Sequence, residues 1–160
     1  MQAYFLTNIL LAIVCVLLTG DVYGPNFVFG FILGFLIVWM ISLRNKDTRY
    51  VKFIPKIIGF LAYFFYQLIK ANLEVAYEVG TPRHNMRPGI VAVPLDLTTD
   101  FEITILSNVI ALTPGSLCVD VSTDKKTMYI HTFNLRDRES YIHYIKDGFE
   151  RRLINIIKGK

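Results

Sequence analysis

Residues 54–79 read IPKIIGFLAYFFYQLIKANLEVAYEV, and the placement of that stretch decides the fold of the rest of the chain. On a helix of 3.6 residues per turn, Lys56, Gly59, Tyr63, Gln67, Lys70, Glu74 and Glu78 recur in steps of three and four and fall on one side. Ile, Leu, Phe, Ala, Val and Tyr dominate the remaining surface. A narrow polar stripe on a wide apolar body suits a helix lying in the membrane interface, or a spanning helix whose stripe faces protein. At about 1.5 Å per residue the stretch could cross roughly 30 Å of hydrocarbon, yet its charges sit where a spanning helix least tolerates them.

Toward the N-terminus the chain is more apolar still. Met1 to Thr19 carries no charge and lacks the basic start and small-residue cleavage site of a secretory signal, so it reads as a retained membrane helix. Gly20 to Pro25 is a tight turn, and Asn26 to Leu43 is a second uncharged run of spanning length. Together they form a transmembrane hairpin. Arg44, Lys46, Arg49, Lys52 and Lys56 come next, and the positive-inside rule holds that end in the cytoplasm. Gly30 and Gly34 form a G-x-x-x-G that permits close helix packing in lipid. Neither helix of the hairpin contains a carboxylate, Lys or His to carry charge through the membrane, so it anchors and packs rather than conducts. Lys70, Glu74 and Glu78 are the ionisable groups nearest membrane depth. Lys70 and Glu74 make an i,i+4 pair at the headgroup level, with a proton relay through the three as the alternative.

Toward the C-terminus, residues 80–88 form a turn-rich linker containing a solvated His84. Gly89 to Leu95 is a strand, with Pro94 implying an edge or a strand end. Thr99 and Glu102 have the spacing of a capping box opening a buried helix from Asp100 to Leu112. Thr113-Pro114-Gly115 is a sharp stop. Ser116 to Val121 is a strand with Leu117, Val119 and Val121 on one face, joined by a polar hairpin to a strand at Met128 to Phe133. His131 reads as a hydrogen-bonded sheet residue. From Asp137 to Ile157, Ile142, Ile145, Phe149, Leu153 and Ile156 recur at helical spacing, opposite a solvated face bearing Arg138, Lys146, Arg151 and Arg152.

The chain has 160 residues, 53% of them hydrophobic, a net charge of +4 and a mean hydropathy of +0.43. That excess is too apolar for an ordinary soluble domain. The fold class is an α+β membrane protein in three parts: a transmembrane helical hairpin with a basic loop (1–53), a long amphipathic helix (54–79) and a small β-α-β-β-α domain (80–160). The basic charge suits anionic lipid on the cytoplasmic side rather than nucleic acid. Cys15 and Cys118 lie in different environments and do not form a disulfide. No nucleophile–base pair, phosphate loop or metal spacing is present, so neither an enzyme nor a cofactor is expected.

The runs PGIVAVPLDL (88–97), FEITILSNVIALTPGSLCVDVS (101–122) and MYIHTF (128–133), preceded by an apolar hairpin and NLEVAYEV, closely resemble the E-type subunit of the multisubunit Mrp/Mnh-type cation/proton antiporters. The resemblance covers the whole chain, and its most specific part is the turn at Thr113, Pro114 and Gly115. Ala111 and Ser116 depart from it where threonines are more usual. The resemblance implies a small accessory subunit of a hetero-oligomeric Na+/H+ antiporter in a bacterial plasma membrane. Its large companion subunits, related to the antiporter-like subunits of respiratory complex I, would hold the ion paths. It carries over no ion-binding residue. Three readings are open: an assembly subunit, direct ion handling through Lys70, Glu74 and Glu78, and a free-standing membrane-anchored enzyme or sensor. An in-plane helix at 54–79 leaves the C-terminal domain in the cytoplasm, whereas a spanning one puts it outside.

Overall fold

A computed structural model describes residues 2–45, 49–81 and 86–158; Lys46 and His84 lie outside the described residues. The chain forms two compact units, Met1–Pro55 and Lys56–Lys158.

In the first unit, α1 (Gln2–Thr19) and α2 (Gly24–Asn45) form an antiparallel hairpin. Gly20 takes φ +70° at the reversal, a region open to glycine at no steric cost. The hairpin is apolar outside and partly polar within. Leu6, Leu10, Leu18, Phe29 and Met40 are exposed, while Asn8 and Ser42 are buried beside Ala12, Val38 and Tyr50. That distribution suits lipid as the surrounding solvent. Asn8 Nδ2 donates to Tyr50 Oη at 2.9 Å, and Phe5 and Phe35 flank the Tyr50 ring at 6.3 and 6.0 Å. Gly30 and Gly34 lie on the α1-facing side of α2. A Cβ on Gly30 would stand 2.8 Å from Cys15 Cβ, and one on Gly34 would strike Asn8 Oδ1. By length and composition, Gly24–Leu43 is able to cross a membrane; the apolar run Ala3–Thr19 is shorter.

α3 runs unbroken from Arg49 to Gly80, 32 residues, so the basic loop expected before residue 54 is partly helical. Pro55 reads as a helix start but lies inside the second turn, where it forfeits the bond its N–H would have donated to the Val51 carbonyl and crowds that carbonyl. Tyr50–Gly80 is also long and apolar enough to span. In the second unit the polar stripe turns toward protein, buried at Gln67 and Glu78 and exposed at Lys70 and Glu74. Gln67 and Glu78 are buried, whereas Ile58, Leu61, Phe65, Ile69 and Leu73 are exposed.

The stripe faces an α/β fold. β1 (Gly89–Pro94), β2 (Ser116–Val121) and β3 (Thr127–Thr132) make an antiparallel sheet in the order β1-β3-β2. Gly89 pairs with Thr132 and Pro94 with Thr127, so Pro94 is at the end of an edge strand. Val91, Val93, Met128 and Ile130 cover one sheet face. They pack against Ile103, Leu106 and Ile110 of α4 (Asp100–Ala111) and against Ile145, Phe149 and Leu153. Residues 101–105 alternate like a strand, yet the capping box decides for helix. Thr99 Oγ1 accepts from Glu102 N at 3.3 Å and Glu102 Oε2 accepts from Thr99 N at 3.1 Å.

Two expectations need correction. A bulge between Cys118 and Asp120 shifts the β2 register, so Leu117 and Val119 are exposed while Val121 packs on the core. One extra residue reverses the alternation beyond it. The closing helix is also not uniform. α5 (Arg138–His143), started by Asp137, passes into a π-helical turn at Tyr144–Glu150 and then α6 (Arg151–Ile157). Gly148, Phe149 and Glu150 are buried in succession, which a regular helix with one buried stripe does not do; the wider turn aims three neighbours inward.

Candidate functional site

The turn after α4 is built by hydroxyls on a helix end. Thr113 Oγ1 donates to Ile110 O at 2.6 Å and lies 2.7 Å from Ser116 Oγ, which donates to Ile110 O at 3.0 Å. Both donated bonds fall on the Ile110 carbonyl, one of those the helix terminus would leave open. Ser116 supplies this with a serine where the resemblance has threonine more often. Gly115 is required twice over: its φ is +88°, and a Cβ would strike the Phe133 ring.

This turn and the second half of α3 face each other across a cavity of about 490 Å³, lined by Lys70, Glu74 and Glu78 on one side and Thr113 to Ser116 on the other. Residues 40 positions apart in sequence therefore share one site. Lys70 Nζ lies 3.9 Å from Glu74 Oε1, both side chains more than half exposed, so water screens the pair and it adds little stability. Glu78 is different, at 7% exposure. Tyr141 and Tyr144 line the interior. Burial pushes both phenols above their usual range, so at neutral pH they are protonated. Asp137 at the rim is held below the usual carboxylate range by the hydroxyl and amide of Ser140. Among the described residues no group of three His, Cys, Asp or Glu side chains could hold a metal ion. The cavity is a mixed-charge cleft able to bind water or a polar partner.

Sequence reasoning missed a second cluster. Glu150, at 1% exposure, accepts through Oε1 from the amides of Asp96 at 2.6 Å and Leu97 at 3.2 Å. Its Oε2 lies 2.8 Å from Lys146 Nζ, a charge contact without good hydrogen-bond alignment. Lys146 also reaches Asp96 Oδ2 at 2.8 Å and Pro94 O at 2.9 Å. Burial pulls its ammonium pKa down, but the two carboxylates more than offset this and hold it above the usual value. Lys146 was expected on a solvated face; it ties the closing helix to the end of β1. The i,i+4 spacing of Lys146 and Glu150 was the available signal. Arg152, also expected on that face, stacks its guanidinium 4.4 Å from the centre of the Tyr63 ring.

Residues 8–156 match the Na+/H+ ion antiporter subunit family. The chain belongs to that family. It is 35% identical over 158 residues to the Na+/H+ antiporter E subunit of Alkalihalophilus pseudofirmus, covering 99% of this chain and 100% of that protein. It is 35% identical over 153 residues to the E subunit of Bacillus subtilis, covering 96% of this chain and 97% of that one. Among solved structures it resembles a chain of the membrane-bound sulfane sulfur reductase, an archaeal respiratory membrane complex. That likeness has a TM-score of 0.59 and 28% identity, covering 98% of this chain and all of that one. The antiporter-subunit family therefore accounts for the hairpin, α3 and the α/β fold together.

Proposed function

We propose that this antiporter subunit is an accessory and assembly component of a multisubunit Na+/H+ antiporter in a bacterial plasma membrane, with other subunits and membrane lipid as its partners. The hairpin anchors it, α3 lies in the interface, and the α/β unit caps the complex on the cytoplasmic side. The observation that carries this reading is the placement of charge. Residues 2–19 and 24–43 contain no Asp, Glu, Lys, Arg or His, and Lys70, Glu74 and Glu78 line a cavity against the α/β fold. The likeness to a chain of a sulfur reductase complex supports the same reading, since what the two settings share is a membrane assembly.

The same geometry supports an in-plane placement of α3. The α/β fold lies against the stripe from Lys56 to Glu78, so a spanning α3 would draw the exposed Lys125–Asp100 pair and the exposed carboxylate of Asp96 toward hydrocarbon. Each charge there costs about 3 kcal/mol or more. Lying flat, α3 gives Ile58, Leu61, Phe65, Ile69 and Leu73 to lipid and keeps the fold in water.

A second reading, direct ion handling, is favoured by the burial of Glu78. Two variants of the whole complex separate them. Neutralising Lys70, Glu74 and Glu78 to Gln should leave Na+-dependent proton movement per assembled complex unchanged, and removing residues 86–158 should deplete the complex. Normal complex yield after the truncation would contradict the assembly role. Lost transport by an intact complex carrying the neutral triple would establish ion handling.

A further inference from the structure

Most charged and hydroxyl groups around the cavity between α3 and the Thr113 turn are already engaged. Lys70 and Glu74 pair with each other at 3.9 Å, and Glu78 has an interaction of its own. Asp137 accepts from the Ser140 amide at 2.9 Å, the Thr113 and Ser116 hydroxyls serve the end of α4, and the Tyr141 hydroxyl faces Thr132 and Ser116. Two primary amides are left over. Gln67, on α3, is buried to 9% exposure, and its side chain makes no hydrogen bond among the described residues. Asn134, which follows β3 on the α/β side of the same cavity, buries its Oδ1 without a partner. Amides buried without partners are destabilising, and two in one cavity point to a ligand that supplies them.

Each amide carries both a donor and an acceptor, so the matching ligand offers the two side by side. A peptide group does so. Lys70 and Arg136 stand against Glu74 and Asp137 around the cavity, a balance that selects neither a cation nor an anion. The volume of about 490 Å³ falls within the roughly 300–1,000 Å³ that holds a drug-sized ligand, the bulk of a short turn of chain. Phe133 and Tyr144 give its side chains an apolar wall. With α3 in the interface, the cavity stands at the level of the loops that join membrane spans, which are kept out of hydrocarbon. Loop backbone carries N–H and C=O groups that no helix satisfies. We infer that the cavity receives a loop of a neighbouring antiporter subunit, whose peptide groups pair with the side-chain amides of Gln67 and Asn134. This contact gives the assembly role its docking site, and it rests on that role and on α3 lying in the interface.

The test uses the assembled complex, purified through a tag on another subunit. The photo-cross-linker p-benzoylphenylalanine replaces Tyr77 or Arg136, exposed residues on the two sides of the cavity, and in a control replaces Tyr66, exposed on α3 outside it. Irradiation should join position 77 or 136, and not position 66, to an inter-helix loop of another subunit, located by mass spectrometry. Q67M/N134L keeps the bulk of both side chains and removes their amides. It should lower that cross-link about tenfold, the loss of one or two hydrogen bonds. The isolated full-length Q67M/N134L subunit should melt in detergent with the parent, because neither amide bonds within the described fold. Absence of a cross-link from both cavity positions to another subunit overturns the inference, as does an equal cross-link in Q67M/N134L. A lower melting temperature of that variant also overturns it, since the amides would then serve the fold. Normal complex yield after removal of residues 86–158 defeats the assembly role beneath it, whereas a depleted complex with no cross-link from the cavity defeats the inference alone.

Discussion

Replacing Gly148 by alanine probes the seat of α3 on the α/β fold. A Cβ there would strike Tyr63 Oη and stand 3.0 Å from Cζ and 3.2 Å from Cε1. The Tyr63 ring has little freedom to swing away: it lies edge-on to Phe149 at 5.3 Å and under Arg152 at 4.4 Å. Forcing a methyl group into such packing costs about 1–3 kcal/mol. Exchanging glycine for alanine inside a helix returns about 1 kcal/mol. G148A should therefore be destabilised by up to about 2 kcal/mol. Y63F removes the struck atom and leaves contacts that need only a few tenths of an ångström of adjustment, so the double variant should recover most of the loss. The coupling between the two substitutions should be about 1–2 kcal/mol. Thermal unfolding of the four proteins in detergent reads this out, at roughly 2–8 °C per kcal/mol. Effects that add to within about 0.5 kcal/mol would refute the contact between α3 and the π-helical turn.

The remaining predictions concern other parts of the chain. E150Q should lower stability by about 3 kcal/mol, because Lys146 loses its buried countercharge, and K146M/E150Q, which removes that ammonium while keeping an acceptor for the Asp96 and Leu97 amides, should recover much of that; equal melting of E150Q and the parent contradicts the network. G30V and G34V should each reduce the amount of assembled complex on native gels, since a Cβ at 30 meets Cys15 Cβ and the Ala12 backbone and one at 34 meets Asn8 Oδ1 and Leu11 Cβ; yields equal to the parent would show that helix packing there is not needed. The amides of Thr98 and Thr99 hold the Glu102 carboxyl below its ordinary 4.5. A depressed folded pKa stabilises above the unfolded value and ceases to as pH falls through the folded one, so melting temperature should drop below about pH 5. E102Q should be less stable at neutral pH and lack that part of the decline, and an unchanged slope would contradict the assignment.

What the sequence made legible was local. The apolar runs of α1 and α2, the Thr99–Glu102 capping box and the stop at Thr113-Pro114-Gly115 depend on residues within a few positions of each other. The hidden features depend on distant partners. Asn8 looks like a minor polar residue in an apolar run until Gly34 and Tyr50 enclose it. Lys146 belongs by periodicity to a wet face, yet Asp96, fifty residues away, draws it in. The β2 bulge cannot be read from Leu117, Val119 and Val121, whose alternation is unbroken on paper. The stripe on α3 was visible, but its buried direction was not, because a polar stripe faces water on a soluble surface and protein when lipid covers the other side. Lys70, Glu74 and Glu78 and the Thr113 turn were read as separate features, and only the tertiary fold sets them across one cavity.

The most direct test of the account is the side of the membrane on which the α/β unit lies. A single cysteine at Lys125, about half exposed on the β2–β3 hairpin, in a chain lacking Cys15 and Cys118, is offered a membrane-impermeant thiol reagent in intact cells and in inverted vesicles. The account predicts labelling in inverted vesicles alone, with α3 in the interface and the fold in the cytoplasm. Labelling in intact cells would contradict it, making α3 a span and bringing Lys70, Glu74 and Glu78 forward as ion-handling groups.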